Sequence, residues 1–143
     1  MSITAKFVTE YASVVDAPAA NVWGILASWG AEKLWMPNCT ASALEGFGIG
    51  SVRDLDFTTR PGITTRETLE AINATDYTQR FRVEISAHKD ALHYGNVRLE
   101  PVNGKQTRVI WSGESSLNDE GLKDSLDQLY EGFNNALCEV LKA

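Results

Sequence analysis

At 143 residues, with 43% hydrophobic side chains and a formal charge of −6 from 13 basic and 19 acidic residues, the chain has the length of one domain and the apolar content for a sizeable core. The acidic balance, and the absence of a basic tract where Arg80 and Arg82 alternate with Phe81 and Val83, argue against nucleic acid or an anionic membrane as the main partner. No stretch approaches the roughly 18 apolar residues of a membrane span, residues 1–15 hold no apolar signal core, and Cys39 and Cys138 form no paired motif. A single domain over 1–143, cytoplasmic, not inserted in a membrane and monomeric or homodimeric, is the expectation.

Residues 6–16 (KFVTEYASVVD) are rich in β-branched and aromatic side chains and read as a strand. Asp16-Ala17-Pro18 offers a helix start, and Val22, Leu26 and Trp29 fall near helical spacing before Gly30. EKLWMPN reads as a second brief helical turn closed by Pro37. TASALEGFGIG is a strand running into a glycine-rich turn. Five more alternating segments follow: SVRDLDFT, ITTRETLEAI, TQRFRVEIS, HYGNVRLEP and QTRVIWSGES. Their short separations suit antiparallel meanders rather than βαβ units. From about Asn118 the period changes. Leu122, Leu126, Leu129, Phe133, Leu137 and Val140 mark one stripe of a long C-terminal helix, capped by Asn118 or Asp119. The simplest packing lays this stripe against a curved antiparallel sheet.

Asp16-Ala-Pro-Ala followed by Val22-Trp23, then Trp35-Met-Pro, Gly50-x-x-Arg53, Glu67-x-Leu69 and Thr107-x-Val-x-Trp111, occur in that order. This series resembles the SRPBCC superfamily, the START/Bet v 1-like helix-grip proteins, and within it the polyketide cyclase/dehydrase branch. The resemblance spans nearly the whole chain. It implies an α+β helix-grip fold: a seven-stranded antiparallel sheet wrapped around the long helix, with two short helices after the first strand. It also implies an internal cavity for an apolar or aromatic small molecule.

Strand parity gives the inward residues. They are Arg53, Leu55 and Phe57; then Ile63, Thr65, Glu67, Leu69 and Ala71; then Tyr77, Gln79, Phe81, Val83 and Ile85; then His93, Gly95, Val97 and Leu99; then Val109, Trp111, Gly113 and Ser115. A bulge would flip any of these from its position onward, and Tyr94 and Asn96 are the alternative inward pair on the sixth strand. Arg53 and Glu67 thus sit on neighbouring strands facing the core, where a lone charge is too costly to keep. Two readings stand side by side. In one, the two satisfy each other and anchor the sheet. In the other they line a wet cavity, with Arg53 binding a carboxylate, phenolate or enolate oxygen and Glu67 positioning Arg53 or taking a proton. A tightly ion-paired carboxylate is a poor base near neutral pH, which weighs against the last role.

His93 is the one histidine with an inward parity and suits proton shuttling. Tyr130, beside the helix stripe, has a hydroxyl to direct inward. Trp35, Met36, Phe57, Phe81, Trp111 and Phe133, with Gln79 and the alternative Tyr94, are the expected ligand walls. Phe47 and Ile49 in Gly46-Phe-Gly-Ile-Gly50 are candidate lid residues, since a strand rather than a helix follows that turn. The spacing of His88 and His93 brings along no carboxylate or thiol for a metal, and no cofactor motif is recognised. The functional expectation is binding of a hydrophobic or aromatic small molecule. It extends to cofactor-free cyclisation, dehydration or isomerisation of a polyketide-like intermediate through Arg53, Glu67, His93 and Tyr130, with a non-catalytic carrier or sensor as the alternative.

Overall fold

A computed structural model describes residues 3–142. The chain runs β1 (Lys6–Val15), α1 (Ala19–Leu26), a 3-10 turn (Glu32–Leu34), β2 (Cys39–Glu45), β3 (Val52–Phe57), β4 (Thr64–Asn73), β5 (Thr78–Ile85), β6 (His93–Asn103), β7 (Gln106–Ser115) and α2 (Leu122–Val140). The seven strands form one antiparallel sheet in the order β1-β7-β6-β5-β4-β3-β2. Consecutive strands from β2 to β7 pair as a meander, while β1 adds to the far edge against β7. The segment holding α1 and the 3-10 turn therefore carries the chain from one edge of the curved sheet to the other. α2 packs over β1 and β7, and this is the helix-grip arrangement.

Three local expectations are revised. α1 ends at Leu26 rather than near Gly30, with Ser28 Oγ donating to the Gly24 carbonyl at 2.5 Å, so Trp29 lies beyond the helix. Asp16 caps nothing: Pro18 is the N-cap, and Asp16 Oδ1 accepts from Gln106 Nε2 at 2.8 Å. α2 likewise starts without a side-chain cap, from Gly121 at φ 88°, a left-handed conformation that favours glycine over Asn118 or Asp119.

The buried stripe of α2 is also rotated. Tyr130, Phe133, Asn134 and Leu137 are buried, while Leu129 and Val140 are each 41% exposed. The cause is Asn134. Its Oδ1 accepts from Trp111 Nε1 at 2.7 Å, and its Nδ2 donates to Ser13 Oγ at 2.7 Å and to the Val109 carbonyl at 3.3 Å. A buried asparagine that satisfies three partners on β1 and β7 fixes the helix rotation as firmly as another leucine would.

Parity holds along β3, β5, β6 and β7. On β4 a register shift between Leu69 and Ala71 turns Ala71 outward and leaves Ile72 opposite Gln79. The register lays inward residues in rows across the sheet: Arg53, Glu67, Val83, His93 and Ser115 in one, and Leu69, Phe81, Gly95, Gly113 and Thr9 in the next. The two glycines of the second row make a depression. A Cβ on Gly95 would stand 2.4 Å from Phe81 Cε2, and one on Gly113 would stand 2.7 Å from the Tyr130 hydroxyl.

Gly95→Ala is therefore expected to lower stability by about 1–3 kcal/mol through overpacking against Phe81. Gly104→Ala, whose Cβ would meet nothing within 4 Å, is expected to stay near neutral. Urea denaturation of both variants checks the contrast.

Candidate functional site

Arg53 is the hub of the interior. Its Nε donates to Glu67 Oε1 at 2.8 Å and its Nη2 lies 2.5 Å from the same oxygen, while Nη1 reaches Glu32 Oε2 at 2.7 Å. Glu32, only 1% exposed, is held in turn by the Gly30 backbone N–H, 3.0 Å from each of its oxygens. The guanidinium plane stacks 3.8 Å from the centre of the Trp29 ring and 5.3 Å from that of Phe81. Thus β3 supplies the cation, β4 one carboxylate and the 3-10 turn the other.

Beside this cluster lies an internal cavity of about 20 Å³, lined by Leu26, Trp35, Met36, Arg53, Glu67, Gln79, Phe81, Val97, Trp111 and Phe133. That volume holds about one water molecule. Two polar atoms stand out on its walls. Glu67 Oε2 takes none of the bonds made by Oε1. Gln79 is 4% exposed, and its Oε1 accepts from Trp29 Nε1 at 3.1 Å while its Nε2 is buried without a partner among the described residues. Because the indole N–H only donates, the amide must turn its oxygen to Trp29 and its nitrogen away.

Of the twelve expected site residues, Arg53, Glu67, Trp35, Met36, Gln79, Phe81, Trp111 and Phe133 line this cavity. The other four do not. Tyr94 projects from the opposite face of the sheet, where the Arg80 guanidinium covers its ring at 4.1 Å, so His93 and Gly95 are the inward pair. Phe57 is buried in the core but sits under Arg60, 4.9 Å from its ring centre. Tyr130 stacks on Trp111 at 5.7 Å and 12°, and its hydroxyl lies over Gly113 rather than in the cavity. His93 shares the inward row but bonds Ser115 Oγ through Nδ1 at 2.9 Å, two strands from Glu67. Phe47 and Ile49 are 93% and 68% exposed and do not line the cavity.

Two residues of the Arg53 cluster, Glu32 and Trp29, and one that supports the cavity from outside, Asn134, are not among the site residues expected from the sequence. Glu32 sits in a charged stretch that reads as solvated. Yet it lies three and four positions before Trp35 and Met36, the spacing of one helical face, and that was the available signal. Trp29 carried no sign of its contact with Arg53, and Asn134 was passed over as polar. The electrostatics follow the geometry. Burial, and then the charges of Glu67 and Asp127, push the Tyr130 phenol well above its ordinary range, so it remains a neutral hydroxyl. Burial, with His88 nearby, holds the His93 imidazole below its usual value.

Residues 6–141 match a family model, polyketide cyclase/dehydrase and lipid transport. The chain belongs to that family. None of the curated proteins matches this family member in sequence. Its fold is similar to several solved structures. An uncharacterized protein from Bacillus thuringiensis superposes with a TM-score of 0.78 at 19% identity, covering 94% of this chain and 98% of that one. Norcoclaurine synthase from Thalictrum flavum, a point mutant solved with a transition-state analogue, gives 0.76 at 15% identity, covering 98% and 96%. Ara h 8.0201 gives 0.76 at 16% identity, covering 96% and 97%. These likenesses establish the shared fold.

Within this family member, Arg53→Ala leaves two carboxylates without their cation. A loss of at least about 3–5 kcal/mol of stability, or failure to fold, is the expected outcome in urea denaturation. Glu32→Gln keeps the side-chain volume but sets an NH2 donor where a carboxylate oxygen accepts from Gly30 N–H, and is expected to cost less because Arg53 keeps Glu67. His93 supplies a pH test. Because its folded value is depressed, the unfolded chain takes up a proton first as pH falls below about 6.5. The contribution is thus complete above that pH and is lost as pH falls through the folded value. His93→Gln is expected to flatten this acid-side slope in melting temperature measured against pH.

Proposed function

We propose that this family member binds a hydrophobic or aromatic small molecule between the sheet and α2, and acts on it without a cofactor by cyclisation, dehydration or isomerisation. The observation that carries the reading is the cavity itself, in which five large apolar side chains (Trp35, Met36, Phe81, Trp111 and Phe133) surround the Glu67 carboxylate and the Gln79 amide. Apolar walls with a few convergent polar groups are the general form of a small-molecule site.

A molecule larger than water requires the cavity to widen. The side chains best suited to yield are the two that follow the anchored 3-10 turn, where Trp35 is half-buried and Met36 is unbranched and adaptable. In this reading Arg53 positions Glu67. Glu67 Oε2 accepts a proton from the substrate, and Gln79 Nε2 donates to oxygen charge that develops as the bond rearranges. Tyr130 and His93 have no direct part. The mutual satisfaction of Arg53 with two carboxylates favours the second reading, a carrier that does no chemistry.

Native mass spectrometry of gently purified protein, followed by denaturing extraction, tests the shared premise. The expected result is a mass excess that disappears on denaturation. Titration with small aromatic ligands is expected to change tryptophan fluorescence, since Trp35 and Trp111 line the site. Absence of both responses would count against a ligand site here. Release of an altered molecule after incubation with the extracted one would separate enzyme from carrier.

A further inference from the structure

Resting on that ligand-site reading, the polar groups of the cavity define the head group it accepts. Around the cavity, Glu32 and Glu67 set two formal negative charges against the single positive charge of Arg53. All three side chains are withdrawn from solvent, where like charge is poorly screened. An anionic ligand head would meet this excess and would also have to part Arg53 from a carboxylate to gain a cation. On this reading Arg53, already engaged by both carboxylates, is not the group that receives a carboxylate, phenolate or enolate oxygen.

Two polar atoms are complementary in kind. Glu67 Oε2, which takes neither Arg53 contact, accepts, and Gln79 Nε2, fixed in orientation by Trp29 and buried without a partner among the described residues, donates. A hydroxyl both donates and accepts, so a neutral O–H offers what each of the two atoms lacks. An ammonium would satisfy Glu67 and leave the Gln79 amide unpaired. Phe81, Trp111, Phe133 and Trp35 then surround the attached ring. We propose that the cavity selects a neutral hydroxyl-bearing aromatic, a phenol or enol, donating to Glu67 and accepting from Gln79, and that it rejects anionic heads.

The test uses 4-nitrophenol, 4-nitrobenzoate and nitrobenzene as probes of the full chain, with calorimetry for affinity and visible absorbance for the protonation state of the phenol. The expected result is that 4-nitrophenol binds as the neutral phenol, so the phenolate band falls as protein is added. 4-Nitrobenzoate is expected to bind at least about tenfold more weakly, the scale of a desolvated like-charge contact, and nitrobenzene, lacking the hydroxyl, more weakly than the phenol. Glu67→Gln is expected to relieve the penalty on 4-nitrobenzoate, and Gln79→Leu to weaken 4-nitrophenol. The wild-type measurements stand alone if either variant fails to fold. A phenolate band that grows on binding, or 4-nitrobenzoate binding as well as the phenol, would overturn the head-group inference while leaving a ligand site in place. Heat from none of the three probes would overturn the inference and count against the ligand site with it.

Discussion

One guanidinium organises this interior. Arg53 on β3 joins β4, through Glu67, to the crossing segment between β1 and β2, through Glu32. It lies over the Trp29 ring and beside that of Phe81, and the two rings meet edge-on at 73°, so the same side chain also sets the aromatic packing around the cavity. A charge in such surroundings is tolerable only when its donors are occupied. Two carboxylates and two rings meet that condition, and they fix β3, β4 and the 3-10 turn relative to one another. The stability of the core and the character of the site thus rest on one set of contacts.

The second constraint is Asn134. It sets the rotation of α2 on β1 and β7 through polar bonds, bringing Phe133 against Trp111 at 5.0 Å and Trp35 at 5.8 Å. The apolar wall of the cavity is therefore placed by a polar residue outside it. Membership of the polyketide cyclase/dehydrase and lipid transport family brings the architecture. Within that architecture about 20 Å³ of open space remains, and two buried carboxylates face one guanidinium.

Much of this was legible from strand parity. The facing pair of Arg53 and Glu67 was readable because a period of two leaves no other face for them beside Leu55, Phe57 and Leu69. Ala71 was misassigned because a bulge has no compositional signature in LEAIN. Tyr94 belonged to an alternative that parity itself disfavoured, and its partner Arg80 shows why a tyrosine is comfortable outside. The helix stripe was misjudged for a different reason. Hydrophobicity ranks Leu129 above Tyr130 and Asn134, whereas the sheet presents a Trp111 N–H and a Ser13 hydroxyl that only a polar side chain can answer. Glu32 shows the same limit: its burial follows from a cation twenty-one positions away in sequence, a relation no local pattern expresses.

The paired glycines of β6 and β7 give the interior an adjustable floor. Phe81 lies down over Gly95 and the Tyr130 hydroxyl over Gly113, so the sheet lends these side chains room that would otherwise come from the cavity. A chain with the same fold and a single methyl at either position would have to raise an aromatic ring towards the helix. The size of the chamber is thereby set from beneath, by atoms that never touch its contents. A substitution at either glycine would change what this chain can enclose without altering a residue on the walls.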